Sequence, residues 1–262
     1  NAGSTAIFPD YLVTAFENGN DPYKYPNTDW YDYLYRNAFI QDHNLSIRGG
    51  TRKSNSYFSL NYLNQDGIIT NTNSVRYGIR ANLEYNLRTW LKVGGRLNYV
   101  RSVSNEPYNL SRVHDMLQGA APYIAPYTRD GRFGSVQAID STGILLYDNR
   151  NPLIDAANGR TTTTNNSMNM NIFAEIDFHK LFNLKVMWTS SEGGSMEDKY
   201  NEPIYGYTDS GIETMTKNFN QKGLEMIRNQ TTSITDNFQA TLNFNKKFGT
   251  LHTVSGVLGT QL

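Results

Sequence analysis

Apolar and polar residues alternate along several stretches of the chain, most clearly in SMNMNIFAEIDF at residues 167–178. Every second residue from Met168 to Phe178 is apolar, and the residues between them are polar except Phe173. Successive side chains of a β-strand point to opposite faces, so this period predicts a strand with one apolar and one polar face. The two faces could meet a protein core and bulk water, or lipid and a water-filled lumen.

The same period recurs along the chain. It is strong at 75–87, 91–99 and 236–244, and weaker at 43–50 and 56–63. Several runs last ten or more residues, whereas a strand of a soluble protein averages about five or six, and about 9–11 residues cross a bilayer at a tilt. The pattern therefore predicts an all-β fold, an antiparallel meander of about eight long strands in which neighbours follow the order of the sequence.

The connections between the runs differ systematically in length. The short ones lie near 50–55, 88–90, 179–182 and 246–250. The longer ones lie at 64–74, 104–166 and 191–233. Short turns at one end and long loops at the other are typical of a bacterial outer-membrane barrel, whereas a sandwich has no reason to separate its loops in this way.

Aromatic residues cluster beside three of the short turns: Tyr85 with Trp90, Phe178 with Phe182, and Phe244 with Phe248. Aromatic residues favour strands in general and can close the ends of a protein core. Because the arrangement repeats at three turns, an interfacial aromatic girdle is the favoured interpretation.

The barrel interpretation assigns the two faces of each strand. The outward, lipid-facing set is Ile79, Leu83, Ile172, Ile176 and Leu242. The inward, lumen-facing set is Arg80, Glu84, Asn171, Glu175 and Asn243.

Composition narrows the classes of function. The 262 residues carry no net charge, so no overall field attracts nucleic acid, and charged residues make up 18% against roughly 25% in soluble domains. The absence of cysteine excludes disulfides and thiolate metal sites. No stretch approaches the ~18–20 apolar residues of a membrane helix.

Residues 27–69 resemble the SusC/RagA family of TonB-dependent outer-membrane transporters. The motifs that carry the resemblance are Asn27-Thr28-Asp29-Trp30, His43-Asn44-Leu45-Ser46, Gly49-Gly50 and Gln65-Asp66-Gly67-Ile68. The chain departs from the family pattern at Asp42, where the family has Asn, and at Asp66, where it has Glu. Residues 76–102 and 151–158 are also similar to family segments.

The resemblance implies a transmembrane, plugged barrel of about 22 strands, of which this chain supplies about eight. It implies TonB-dependent import of oligosaccharides or peptides across a bacterial outer membrane, without enzymatic chemistry or a cofactor. The implied partners are TonB, outer-membrane lipids and a SusD-like surface lipoprotein that caps the barrel. The signal peptide, the plug and the later strands are expected outside this chain.

The resemblance also divides the chain into loops and strands. The extracellular loops are expected at 1–41, 104–166 and 191–233. The barrel strands are expected at 42–103, 167–190 and 234–262. The two outermost strands, HNLSIRGG and HTVSGVLGTQL, should form the open edges of the sheet.

Motifs for catalysis or metal binding are weak. The histidines His43, His114, His179 and His252 have no metal-like spacing, and no phosphate loop, nucleophile elbow or HExxH motif occurs. Glu175 and Asp177 could resemble a glycosidase acid–base pair, but at alternate positions of a strand they are more simply explained as polar lumen residues.

The long loops contain the most plausible recognition residues. The segment YIAPYTRDGRFG at 123–134 combines aromatic and charged side chains, which suit glycans or peptides. The candidate substrate-binding residues are Tyr123, Tyr127, Arg129, Asp130 and Phe133. These residues could equally pack the loop or contact the lipoprotein lid.

Two further expectations concern the loops and the class of protein. Leu110, Val113 and Leu117 are spaced as on a short helix, and the motif around Trp30 is expected to be structural. The alternative class of protein is a secreted, soluble all-β glycan-binding module.

Overall fold

Long antiparallel strands dominate the computed structural model, which describes residues 10–19, 21–139, 145–148, 150–178, 181–214 and 224–262. The long strands are β1 (Ile40–Gly50), β2 (Ser54–Asp66), β3 (Asn73–Arg88), β4 (Leu91–Glu106), β7 (Arg160–Phe178), β8 (Phe182–Asn201), β11 (Glu225–Phe248) and β12 (His252–Gln261). The short strands are β5 (Val136–Ile139), β6 (Leu145–Asp148), β9 (Gly206–Tyr207) and β10 (Glu213–Thr214). The helices are α1 (Asp10–Asn18), α2 (Trp30–Leu34), α3 (Leu110–Gly119) and α4 (Pro152–Ala157).

The long strands form one sheet in the order β1-β2-β3-β4-β7-β8-β11-β12. All neighbours are antiparallel and follow the sequence, which confirms the predicted meander and its two edge strands. Because antiparallel connections alternate between the ends of a sheet, the turns 51–53, 89–90 and 249–251 lie at one end, here called the turn end. The long connections 107–159 and 202–224 lie together at the other, the loop end.

Three strands are longer than the alternating pattern indicated. β7 begins at Arg160 rather than at 167, β8 continues to Asn201 rather than 190, and β11 begins at Glu225 rather than 234. The added segments 161–166 and 229–233 are polar at every position, so they show no apolar period although their backbones stay paired. The connections therefore shorten to 107–159 and 202–224.

The register places the two predicted sets of side chains on opposite faces of the sheet. Leu83, Gly95, Ile172, Trp188 and Phe238 are directly paired across five strands and share one face, here called the apolar face. The polar face carries the alternate residues, including Glu84, Asn171 and Glu175.

Phe173 breaks the alternation because it packs on the polar face. Its side chain is 4% exposed and lies over Gly94, where a Cβ atom would come within 2.4 Å of the ring. The charged ends of Lys92, Arg96 and Lys185 lie 5.7, 5.5 and 5.1 Å from the ring centroid. Cations favour the face of an aromatic ring, so a phenylalanine is stable in this otherwise polar surface.

The connections at the loop end share a small hydrophobic core of their own. Its buried residues come from α2, α3, α4 and the intervening loops: Trp30, Leu34, Ile69, Val113, Leu117, Ile124, Leu153 and Ala156. The expected helix around Val113 is confirmed as α3, which buries Val113 and Leu117. None of the described helices is long and apolar enough to cross a bilayer.

Candidate functional site

The Trp30 motif fastens α2 to the segment 121–124. The Asp29 carboxylate caps α2 by accepting a hydrogen bond from the Tyr31 backbone N–H at 2.9 Å. The Trp30 indole donates to the Ala121 carbonyl at 3.0 Å, and the Thr28 hydroxyl donates to the Ile124 carbonyl at 2.8 Å. These bonds support the expected structural role of the motif.

A second anchor is the fully buried Asn151 at the start of α4. Its side-chain amide donates to the carbonyls of Pro126 and Gly134 at 2.9 and 3.0 Å. Its side-chain oxygen accepts from the Leu153 backbone N–H at 3.0 Å, which caps the helix. One buried amide therefore holds both ends of the loop 126–134, here called the recognition hairpin.

The recognition hairpin presents a pair of aromatic rings. Tyr127 and Phe133 are bridged across the hairpin, and their ring centroids lie 5.6 Å apart. Tyr127 is 41% exposed, so one side of this pair faces solvent. Tyr123 precedes the hairpin in sequence and is partly buried against the loop core, with its ring 6.2 Å from that of Phe16.

Arg129, at the tip of the hairpin, binds two other connections. Its guanidinium donates to the carboxylates of Asp21 and, at 3.3 Å, of Asp209, and it lies 4.9 Å from the ring centroid of Tyr23. The bonds to Asp209 and Asp21 raise the pKa of Arg129. Its charge therefore joins three segments that are far apart in sequence.

Asp130 is engaged within the hairpin itself. The Arg132 guanidinium donates to its carboxylate at 2.7 Å and the Thr128 hydroxyl donates to it as well. These bonds lower the pKa of Asp130 to about 2, so the side chain is ionised at neutral pH. Arg132 also lies 3.9 Å from the ring centroid of Tyr207.

Four of the five predicted residues thus lie together in the recognition hairpin, while Tyr123 does not join them. The two charged residues make contacts within the protein, and the exposed ring of Tyr127 lies in the same hairpin. Sequence reasoning missed Tyr23, Asp21, Tyr207 and Asp209, because nothing in their own segments indicates that they meet the hairpin.

α2 adds exposed aromatic surface that the sequence analysis also missed. Tyr31 and Tyr33 are 57% and 48% exposed, while Trp30 and Leu34 of the same helix are buried. Tyr31 stacks on Tyr35 with ring centroids 5.7 Å apart. Exposed rings of this kind can stack on sugar rings or on peptide side chains.

The strand carboxylates Glu175 and Asp177 are held by neighbours on the polar face. Glu175 lies 3.5 Å from Lys92 and 3.2 Å from Lys185, and Asp177 accepts a hydrogen bond from Asn183 at 2.7 Å. In the part of the chain that the structure describes, no three His, Cys, Asp or Glu residues come together as a metal site. His179 lies outside the described residues.

In sequence, the chain is similar to several TonB-dependent receptors. No family model matches the chain. It is 44% identical over 80 residues to TonB-dependent receptor P26 and 26% identical over 231 residues to TonB-dependent receptor P3, both of Formosa agariphila. It is 39% identical over 57 residues to TonB-dependent receptor SusC of Bacteroides thetaiotaomicron. These matches cover 30%, 85% and 22% of this chain.

Solved structures share the fold. The RagAB peptide importer in its closed-closed state superposes on 90% of the chain with a TM-score of 0.62 at 18% identity. Its open-open state superposes on 100% of the chain with a TM-score of 0.65 at 15% identity.

The chain spans only part of each of these proteins. It covers 8%, 21% and 6% of the three receptors and 25% and 29% of the two importer chains. The comparisons confirm that the chain resembles the SusC/RagA type of TonB-dependent receptor, as a segment of the β-barrel.

Proposed function

We propose that the chain is a membrane-spanning segment of an outer-membrane importer that takes up oligosaccharides or peptides with TonB-dependent energy. The observation that carries this proposal is an apolar band that crosses the sheet obliquely, at the tilt of a transmembrane barrel strand.

The height of the band suits a bilayer. On β7 the apolar face is continuous from Met168 to Phe178. Ten residue steps of about 3.3 Å cover roughly 33 Å along the strand, or about 23 Å of height at a tilt of about 45°. The apolar band of an outer-membrane barrel is about 25 Å tall, so the two heights agree.

The tilt follows from how the band shifts relative to the register. The row through Leu60, in the middle of the band on β2, reaches Glu192 on β8 and Ile234 on β11. On β11 the middle of the band lies near 241, about seven residues further toward the turn end, after five strand-to-strand steps. The band therefore moves about 23 Å along the strands over about 24 Å across them. This slope corresponds to a strand tilt of about 44° from the band's normal, within the range of membrane barrels.

The aromatic rings at the turn end support the same placement. Phe178, Phe182 and Phe244 form one cross-strand row, with neighbouring ring centroids 5.7 and 5.3 Å apart. This row closes the apolar band where the headgroups of the inner leaflet would lie, as in an interfacial girdle.

The loop end would then form part of the extracellular mouth. There the recognition hairpin and the exposed rings of α2 would meet substrate or a SusD-like lipoprotein lid, while TonB would act through parts of the protein outside this chain. The alternative of a soluble sandwich lacks support, because in the described part of the chain no second sheet covers the apolar face.

Transport is tested with the full-length protein in its own host. Deletion of the gene should abolish uptake of either labelled oligosaccharides or labelled oligopeptides, and reintroduction should restore it. Unchanged uptake of both pools would contradict the proposed function.

The hairpin is tested by substitution in the same uptake assay. Tyr127→Ala combined with Phe133→Ala should weaken substrate binding by about threefold to tenfold, because stacking contacts of about 0.5–1.5 kcal/mol are lost. The matched control is Tyr11→Ala, an exposed tyrosine of α1 outside the hairpin. Equal effects of the two changes would show that the hairpin has no special part in recognition.

A further inference from the structure

Two exposed arginines lie on the polar face of β3 and are here called the arginine pair. Arg76 and Arg80 are four residues apart, about 13 Å, on the same face as Glu84. Neither side chain makes an ion pair or a hydrogen bond with any residue that the structure describes. Gly78 lies between them on this face, so no side chain separates the two guanidinium groups along the strand. The fold therefore leaves both charges available for a ligand.

The carboxylates nearest to Arg76 on the polar face are too far away to pair with it. Asp42 lies in the same cross-strand row, two strand spacings away, about 10 Å, and accepts a hydrogen bond from the Asn61 side-chain amide at 2.8 Å. Glu106 lies on the neighbouring strand toward the loop end, about 14 Å away. The Debye length at physiological salt is about 8 Å, so the attraction of either carboxylate for the arginine pair is largely screened.

Nearer the turn end, cations outnumber carboxylates on the same face. Glu84 contacts Lys92 at 3.5 Å and Arg96 at 3.3 Å. Glu175 contacts Lys92 at 3.5 Å as well, and Lys185 at 3.2 Å. From the row of Arg76 to the row of Lys92, the polar face of the long strands is therefore basic, with the cations Arg48, Arg76, Arg80, Lys92, Arg96 and Lys185 and the carboxylates Asp42, Glu84 and Glu175.

Hydroxyl and amide side chains continue the rows of both arginines across the sheet. Each row runs from β3 over β4, β7 and β8 to β11, about 19 Å, without a further charged side chain. Hydroxyl and amide groups donate and accept hydrogen bonds, as sugar hydroxyls do. The residues are Ser102, Asn165, Ser195 and Thr231 in the row of Arg76, and Asn98, Asn169, Ser191 and Thr235 in the row of Arg80.

Apolar residues are few beside the arginine pair. On the polar face, Leu63 of β2 and Val100 of β4 are the apolar ones among the residues paired with Arg76, Gly78 and Arg80. An oligosaccharide can form hydrogen bonds with hydroxyl and amide rows along its whole length, whereas a peptide would press its apolar side chains against them. The surface therefore suits a hydroxyl-rich ligand that also carries negative charge.

We infer that the imported substrate is an anionic oligosaccharide whose carboxylate or sulfate groups bind Arg76 and Arg80. A guanidinium group donates two parallel hydrogen bonds to such an oxyanion, and the polar rows bind the sugar hydroxyls. Arg76 is nearer the loop end, so a substrate that enters there meets Arg76 before Arg80. The inference rests on the proposed function, because it needs the polar face to line the lumen of an importer, and it narrows the two proposed substrate classes to one.

The class of substrate is tested by competition, with the full-length protein in its own host. Cells with and without the gene receive one mixture of sulfated and uronic oligosaccharides, the same oligosaccharides after desulfation or carboxyl reduction, and acidic oligopeptides. Mass spectrometry follows the depletion of each component. We expect gene-dependent depletion of the acidic oligosaccharides to exceed that of their neutral counterparts by about tenfold, as the loss of one charge-assisted hydrogen bond implies. Equal depletion of charged and neutral counterparts, or depletion of oligopeptides alone, would overturn the inference.

Variants locate the site. Arg76→Gln and Arg80→Gln should each lower the depletion of acidic oligosaccharides by about tenfold at low concentration and leave that of the neutral counterparts unchanged. The matched control is Arg101→Gln, the same charge change at an exposed arginine on the opposite face of β4, which should have no effect. A loss with Arg101→Gln as large as with Arg80→Gln would also overturn the inference.

A different occupant of the arginine pair would give a different pattern. If the pair held an acidic segment of the same protein outside this chain, Arg76→Gln and Arg80→Gln would lower the depletion of charged and neutral oligosaccharides equally. The loosened lumen would also admit a large antibiotic such as vancomycin, which growth inhibition measures. Either result would count against substrate binding at the pair.

Assembly is measured first, by outer-membrane fractionation and heat-modifiable gel mobility of every variant. If deletion of the gene changes the depletion of no component, the proposed function fails. If neutral oligosaccharides or oligopeptides are the gene-dependent components, only the inference about charge fails. Arg80→Lys keeps the charge and should retain most of the preference for acidic oligosaccharides, whereas Arg80→Glu should lose it, and this comparison covers the case in which Arg80→Gln does not assemble.

Discussion

Two adjacent glycines of β4 have opposite surroundings at the scale of single residues. At Gly94 an added Cβ atom would lie 2.4 Å from the Phe173 ring and 3.0 Å from the Leu83 carbonyl oxygen. At Gly95 it would meet only the Asn171 carbonyl oxygen, at 3.8 Å. The first position therefore excludes a side chain, whereas the second accepts one.

We expect Gly94→Ala to lower the free energy of unfolding of the full-length protein by about 1–3 kcal/mol, because the Phe173 ring must move out of its packed position. Gly95→Ala should change it by less than about 0.5 kcal/mol. Urea unfolding in lipid vesicles, followed by tryptophan fluorescence, measures both. Equal losses in the two variants would show that Phe173 does not determine the tolerance at position 94.

A second residue-scale prediction concerns the ion pair inside the loop core. Arg112 Nε donates to the Asp155 carboxylate at 2.9 Å, and Asp155 is buried. Arg112→Ala leaves a buried carboxylate without this partner and should destabilise the loop core by about 3–5 kcal/mol. Asp155→Asn, which removes the charge as well, should cost less. Hydrogen exchange of α3 and α4, corrected for intrinsic rates, reports both changes.

The pH dependence of this effect has a definite sign. Burial raises the pKa of Asp155 above its ordinary value, although Arg112 acts in the opposite direction. A carboxyl group whose pKa is higher in the folded state becomes less destabilising as the pH falls through that pKa. The deficit of Arg112→Ala should therefore shrink on acidification, and a deficit that grows would contradict the assignment.

At the scale of elements, β7 has an apolar and a polar face within the band and a segment, 161–166, that is polar on both faces beyond it. Ile172 and Asn171 are neighbours on β7 and point to opposite sides. On the proposed placement, Ile172→Arg puts a cation in lipid and should cost roughly 2–4 kcal/mol, while Asn171→Arg puts it in the lumen at little cost. Assembly of the two variants in an outer-membrane folding assay compares them directly, and equal yields would reverse the assignment of faces.

The sequence predicted the strands wherever one face is apolar, because apolar and polar residues then alternate. The alternation from Met168 to Phe178 fixed the face and centre of β7, but 161–166 carried no signal, because a strand that is wet on both faces needs no apolar residues. Phe173 could not be explained either, since its stability depends on Gly94 and on lysines of two other strands.

At the scale of the whole molecule, three connections meet at Arg129. Its contacts with Asp21, Tyr23 and Asp209 join the N-terminal region, the recognition hairpin and the connection 202–224. The sequence indicated that 123–134 was a candidate site. It could not predict these long-range partners, because the residues around an aspartate in a loop do not show which distant side chain it will contact.

We expect Arg129→Gln to speed hydrogen exchange at 21–25 and 206–211 without changing exchange in β3 and β4. The reason is that the guanidinium charge holds the two carboxylates and packs on Tyr23, all three outside the long strands. Asp209→Asn should affect 206–211 more than 21–25. Uniform acceleration over the strands would show instead that the substitution destabilises the entire protein.

On the proposed placement, the polar extensions of the strands would hold the loop end well away from the lipid. From Trp188, at the top of the band, β8 continues for 13 residues to Asn201. This is about 43 Å of strand and about 30 Å of height at a 45° tilt. A rim at that height would project through the carbohydrate layer of the cell surface, where antibodies and bacteriophage tail proteins can reach it. Selection by antibodies and bacteriophages would then act on the connection 202–224. Among strains of one species, the amino-acid sequence should therefore vary most in that connection.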